Sequence, residues 1–150
     1  MANYLITGAA GFIGSALAQK FINQGDAVVT IDNLSTGHRS NIPSGVLFIE
    51  GDCSDADVIN YLPQVHFDAI FHIAGQSSGE ISFDDPIYDI RTNAESTLLL
   101  LKFALKNGCN TFIYAGTMSV YGIKGEYPVN ESEICSPQSF YGVGKLSSEH

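Results

Sequence analysis

Short apolar runs rich in branched and aromatic residues recur near residues 3–7, 27–31, 46–50, 68–73 and 111–116. Glycine, proline or aspartate bounds most of them, a pattern that predicts strands. Helical spacing fills the intervals near 12–24, through Leu17, Phe21 and Ile22, near 55–62, near 84–107, and from about 138 onward. The leucine run 98–101 is too apolar for solvent and is expected in the core. Pro43-Ser44-Gly45 and the stretch 123–139, with Pro128 and Pro137, read as loops. Because strand and helix alternate, the expected fold is α/β, a doubly wound parallel sheet in one domain, with no internal repeat or linker.

Composition changes this picture little: 150 residues, 45% hydrophobic and 15% charged, suit one compact core. The start, Met1-Ala2-Asn3-Tyr4, lacks a basic region, and the run 98–101 is too short to span a bilayer. Neither export nor membrane insertion is indicated, and a cytoplasmic location is expected. Charge excludes more. A net −9 repels nucleic acid and acidic membranes, so Lys102 and Lys106 read as solvated positions and no nucleic-acid partner is expected. Cys53, Cys109 and Cys135 are odd in number and lack metal-ligand spacing, so they read as reduced and mostly structural, with no metal site.

Candidate chemistry sits at both ends. Between the first strand and the first helix runs Thr7-Gly8-Ala9-Ala10-Gly11-Phe12-Ile13-Gly14. Glycines there let backbone N–H groups approach a pyrophosphate, whose charge the helix N-terminus favours. The second strand then delivers Asp32 about where the dinucleotide fingerprint has an acid. A carboxylate at that point accepts hydrogen bonds from ribose hydroxyls and repels a 2′-phosphate, so NAD is expected in preference to NADP. At the other end, Tyr141 and Lys145 lie four residues apart, which puts both on one face of a helix. A tyrosine is a poor base at neutrality unless a nearby cation favours the phenolate, and Lys145 is placed to be that cation.

These motifs, together with Asp32-Asn33-Leu34-Ser35-Thr36-Gly37, Gly51-Asp52, His72-Ile73-Ala74-Gly75-Gln76 and Ser119-Val120-Tyr121-Gly122, resemble the extended short-chain dehydrogenase/reductase superfamily. The likeness covers essentially all of residues 3–150 and points to its NAD-dependent sugar-nucleotide epimerase/dehydratase branch, looking most like the UDP-glucose 4-epimerases. The resemblance implies a Rossmann fold with NAD held by Gly8, Gly11, Phe12, Ile13, Gly14, Asp32, Asn33, Ser35, Thr36 and Gly37. It further implies Asp52 at the adenine amino group beside Cys53, and Ile73, Ala74, Gly75 and Gln76 along the pyrophosphate and nicotinamide ribose. Asn93 matches an asparagine under the active site, although Glu95-Ser96 departs from the glycine usual nearby. The catalytic set carried over is Thr117, Tyr141 and Lys145, the last two also touching the cofactor. His72 and Tyr121 read as structural.

The substrate implied is a nucleotide-sugar, a UDP-sugar by the nearest likeness, and the full-length form implied is a homodimer. Dehydratases of the branch follow the same threonine with an Asp-Glu pair; Met118-Ser119 stands here, which disfavours water loss. Family members run to about twice this length. The chain ends at His150, inside the expected catalytic helix and without a cap, so residues 1–150 are expected to be an NAD-binding domain cut short and inactive alone. The cations that would clamp a sugar diphosphate are then expected mostly outside it. Another oxidoreductase of the superfamily, a dehydratase, decarboxylase or ketoreductase, and a non-catalytic NAD-binding module stay open as alternatives.

Overall fold

The computed structural model describes residues 1–125 and 127–150; Glu126, inside the expected loop 123–139, lies outside the described residues. Five strands, β1 (Asn3–Thr7), β2 (Ala27–Asp32), β3 (Leu47–Glu50), β4 (Ala69–His72) and β5 (Phe112–Tyr114), form one sheet in the order β3-β2-β1-β4-β5. All pairings are parallel, with Tyr4 opposite both Val28 and Ala69. Parallel neighbours need crossovers, and helices supply them. Successive strand residues point to opposite faces, so Leu5, Val29 and Ile31 pack with Ile59 of α2 (Ala56–Asn60) and Leu100 and Phe103 of α5 (Ser96–Lys106). On the other face, Ile6 and Val28 pack with Ala18, Leu17 and Phe21 of α1 (Phe12–Asn23). Helices therefore cover both faces, as a doubly wound sheet requires.

Contacts divide the chain into two compact units. One comprises Met1–Ala74 and Ser96–Ala115, which hold the sheet; the other comprises Gly75–Glu95 and Gly116–His150. In the second unit, α6 (Phe140–Glu149) packs with α3 (Ile81–Asp84), α4 (Pro86–Ile90), a π-helical turn Arg91–Glu95 and a 3-10 turn Met118–Tyr121. Phe83 meets Phe140 edge to face, ring centroids 5.7 Å apart.

The helix expected over 84–107 is not one element. Pro86 forces Asp85 off the helical conformation, and the Asp85 carboxylate then caps α4 by accepting the Tyr88 N–H at 2.9 Å. Beyond α4 the π turn intervenes before α5. The leucine run is only partly core: Leu100 is fully buried but Leu98 is 64% exposed, since a helix cannot turn successive residues to one face. Among the described residues no helix is long and apolar enough to cross a membrane, and no His, Cys, Asp and Glu side chains group as a metal site would need.

Candidate functional site

In the sheet unit, β1 ends in a turn that only glycine fits. Gly8 has φ +76° and donates its N–H to Ile31 O at 2.8 Å; a Cβ there would sit 2.8 Å from the Ala74 nitrogen. The Gly8 carbonyl accepts the Gly11 N–H at 3.1 Å and presses against Gly14, where a Cβ would collide with it. The turn thus closes straight into α1. Gly11 caps that helix without a side chain, and no acidic residue lies in its first turn. The N–H groups of a first helical turn lack intrahelical partners, and Phe12 and Ile13, 91% and 61% exposed, flank them. This end of α1 fits an anion such as a pyrophosphate.

Asp32 closes β2 with both oxygens engaged: Oδ2 accepts the Ala10 N–H at 2.9 Å and Oδ1 the Leu34 N–H at 2.8 Å. A carboxylate offers about four lone-pair sites, so roughly two remain for a ligand. The next loop is tied to the glycine turn. Ala10 O accepts from His38 N–H at 3.1 Å and Asn41 Nδ2 at 2.8 Å, and Gly37 stands so close that a Cβ would lie 2.6 Å from the Ala10 Cβ. Asn33 spans two partners, accepting the Ser35 N–H at 3.0 Å and donating to Asp52 Oδ2 at 2.9 Å. Burial pushes the Asp52 carboxyl up, but hydrogen bonds from the Ser54 amide and hydroxyl and from Asn33 outweigh it and leave its pKa lowered. Burial and the Asp52 charge push the Cys53 thiol up to about 12, so it stays a neutral thiol. Arg39 pairs with Glu50 at 2.7 Å and lies over the Phe48 ring.

The end of β4 is held from β1. Thr7 Oγ1 accepts the N–H groups of Ile73 and Ala74 at 3.2 and 3.1 Å and meets His72 Nδ1 at 2.7 Å. The other ring nitrogen reaches Ser96 Oγ at 3.1 Å. His72 is fully buried with both nitrogens engaged, which makes it structural, as expected.

In the second unit, α6 carries Tyr141 and Lys145 on successive turns, both buried. Ser139 starts the helix by accepting the Gly142 N–H at 3.1 Å. Two glycines let it dock. A Cβ on Gly142 would come within 2.8 Å of Ser119 O and Pro137 Cβ, and one on Gly144 within 3.3 Å of Asp89 Oδ2. Thr117 caps the 3-10 turn, its Oγ1 accepting the Ser119 N–H at 3.2 Å. Asn93 lies in the π turn, fully buried, and donates to Gln76 O at 3.1 Å and Asp89 Oδ1 at 3.2 Å. Gly75, at φ +150°, faces the Asn93 amide, and Lys145 Nζ lies 3.5 Å from where its Cβ would be. Burial brings Lys145 down to about 8, opposed by the charges of Asp89 and Glu149.

This geometry has a family. Residues 4–150 match the NAD dependent epimerase/dehydratase family. The chain belongs to that family. The UDP-glucose 4-epimerase of Mycolicibacterium smegmatis is 36% identical over 97% of this chain and 48% of its own length. Among solved structures, UDP-glucose 4-epimerase of Thermotoga maritima with UDP-glucose superposes at TM-score 0.93 with 38% identity, over 98% of this chain and 48% of that one. The Thermus thermophilus UDP-glucose 4-epimerase in complex with NAD superposes at 0.89 with 32% identity, over 99% and 49%. The chain thus spans about half the length of the relatives it matches.

For this epimerase/dehydratase chain, the residues singled out in sequence fall into two groups. Gly8, Gly11, Phe12, Ile13, Gly14, Asp32, Asn33, Ser35, Thr36, Gly37, Asp52, Cys53, Ile73 and Ala74 lie in the sheet unit; Gly75, Gln76, Asn93, Thr117, Tyr141 and Lys145 lie in the other. Asp89, Gly144 and the bracing role of Thr7 emerge only from the structure. Asp89 stood four residues before Asn93, a helical spacing that could have flagged it.

Proposed function

We propose that residues 1–150 supply the NAD-binding and proton-transferring part of a sugar-nucleotide 4-epimerase acting on a UDP-sugar. The observation that carries this reading is the Tyr141–Lys145 pair, buried on one face of α6 and docked by Gly142 against the segment that begins at Thr117. Tyr141 is the group assigned to take the proton of the sugar C4 hydroxyl and to return it. Lys145, with its pKa brought to about 8, is mostly cationic at neutral pH and stabilises negative charge developing on an oxygen beside it. Thr117 offers a hydroxyl, both donor and acceptor, to orient the reacting hydroxyl.

The first turn of α1 with Gly8, Gly11 and Gly14 is assigned to the cofactor pyrophosphate, and the free lone pairs of Asp32 to the adenosine ribose. When bound, NAD supplies the site that accepts hydride from C4 and gives it back, so the cycle has no net redox change. Met118 follows Thr117 where an elimination would need an acid, which favours epimerisation over dehydration.

The test is turnover of UDP-glucose and UDP-galactose by the protein that carries these residues. Tyr141→Phe should leave NAD binding intact and lower kcat by about 10²–10⁴-fold, the range for losing a general base. Parent-level turnover in that variant would remove the assignment.

A further inference from the structure

Asp89 on α4 is fully buried, and the proposed reaction does not use it. Its Oδ1 accepts from Gln76 Nε2 at 3.1 Å and from Asn93 Nδ2 at 3.2 Å. Its Oδ2 has no hydrogen-bond partner among the described residues and points at α6, 3.3 Å from where a Cβ on Gly144 would lie. That is one residue before Lys145. A buried carboxylate oxygen without a hydrogen bond is costly unless a cation compensates it. Lys145, itself only 4% exposed, has its ammonium 3.5 Å from where a Cβ on Gly75 would lie, beside the Asn93 amide that Asp89 holds, and its charge acts on Asp89.

We propose that Asp89 is a positioning residue, whose carboxylate balances the charge of the buried Lys145 ammonium while its Oδ1 holds the Asn93 and Gln76 amides. The proposal deepens the reading above, since it rests on Tyr141 and Lys145 as the proton-transfer pair. Three features at one place then have one cause. Glycine at 144 lets α6 approach the carboxylate; glycine at 75 leaves room for the Asn93 amide and for Nζ; and the Asn93 amide, donating to both Asp89 and Gln76 O, fixes the start of the loop that follows Gly75.

The electrostatics agree. Burial pushes Asp89 up and Lys145 down, and the attraction between the two opposes both shifts. Glu149, on α6 itself, is the other acid acting on Lys145. Without Asp89 the ammonium keeps its burial and loses its foremost opposing charge.

The experiment reads titration directly, in the 150-residue protein labelled with ¹³C at lysine, with Lys145→Met to assign the signal. Asp89→Asn, which keeps the shape, should lower the Lys145 midpoint by about one pH unit or more and leave the other lysines unmoved. Coupling is reciprocal, so Lys145→Met should raise the Asp89 carboxyl midpoint by a similar amount. This second measurement decides alone if Asp89→Asn does not fold. A midpoint that stays put overturns the proposal. In the active protein, Asp89→Asn should move the alkaline limb of the kcat/KM profile to lower pH, whereas an equal loss at every pH would mark Asp89 as merely structural and overturn its positioning role. The two readings fail separately: parent-level turnover by Tyr141→Phe sinks the function and leaves the titration result standing, and an unmoved midpoint does the reverse.

Discussion

Lys145 shows most directly how function and stability pull apart at a single residue. Its folded midpoint of about 8 lies below that of an exposed lysine, ~10.4. Between those values the unfolded chain binds more protons than the folded one, so folding stability contributed by this group rises with pH from about 8 to about 10.5 and is at its worst below 8. Relative to Lys145→Met, the parent protein should therefore gain stability across that window, by at most about 3 kcal/mol, read by urea unfolding at pH 7 and pH 10. A flat difference would show that Lys145 is not perturbed. The residues of this pair were legible because their spacing and chemistry are unusual together. Asp89 was not, because a lone aspartate in a short helix reads as a solvated charge until its neighbours are seen to bury it.

At the scale of the element, α6 sets helix propensity against packing. Alanine is worth up to about 1 kcal/mol over glycine inside a helix, which alone would make Gly142→Ala stabilising. Packing wins here, because the added Cβ would meet the Ser119 carbonyl and the Pro137 ring at 2.8 Å, and backbone cannot step aside cheaply. Gly142→Ala is expected to lower the thermal midpoint, and to do so more than Gly144→Ala, whose nearest neighbour is a side-chain oxygen at 3.3 Å. A higher midpoint for Gly142→Ala would contradict the docking. Strand positions were readable from short apolar runs between punctuating residues. The break at Asp85 was also present in the sequence, as Pro86. The π turn that carries Asn93 was not, because five residues are too few for a distinct period to show against the flanking helices.

For the whole molecule, the net charge of −9 works against any nucleotide. That repulsion is long-ranged at low salt, where the Debye length is about 30 Å at 0.01 M, and is mostly screened at 0.15 M. The preference for NAD over NADP should therefore narrow as salt rises, down to the part due to Asp32 at contact. Asp32→Ala should remove that remainder, at some loss of NAD affinity, because the carboxylate also braces Ala10 and Leu34. Calorimetry at two ionic strengths measures both, and equal affinities in the parent protein would refute the assignment of Asp32. The alternation of strands and helices made the fold class readable, but the division into two units was not, since it depends on contacts between segments distant in sequence, such as Ser148 with Asn93. The strand order also sets a schedule. β1 is made first yet lies mid-sheet, and its Tyr4 waits for Ala69, 65 residues later (69 minus 4). At roughly 5–20 residues per second of synthesis, that edge stays open for about 3–13 seconds, a window in which a nascent chain is exposed to the wrong partner and in which chaperone binding would matter most.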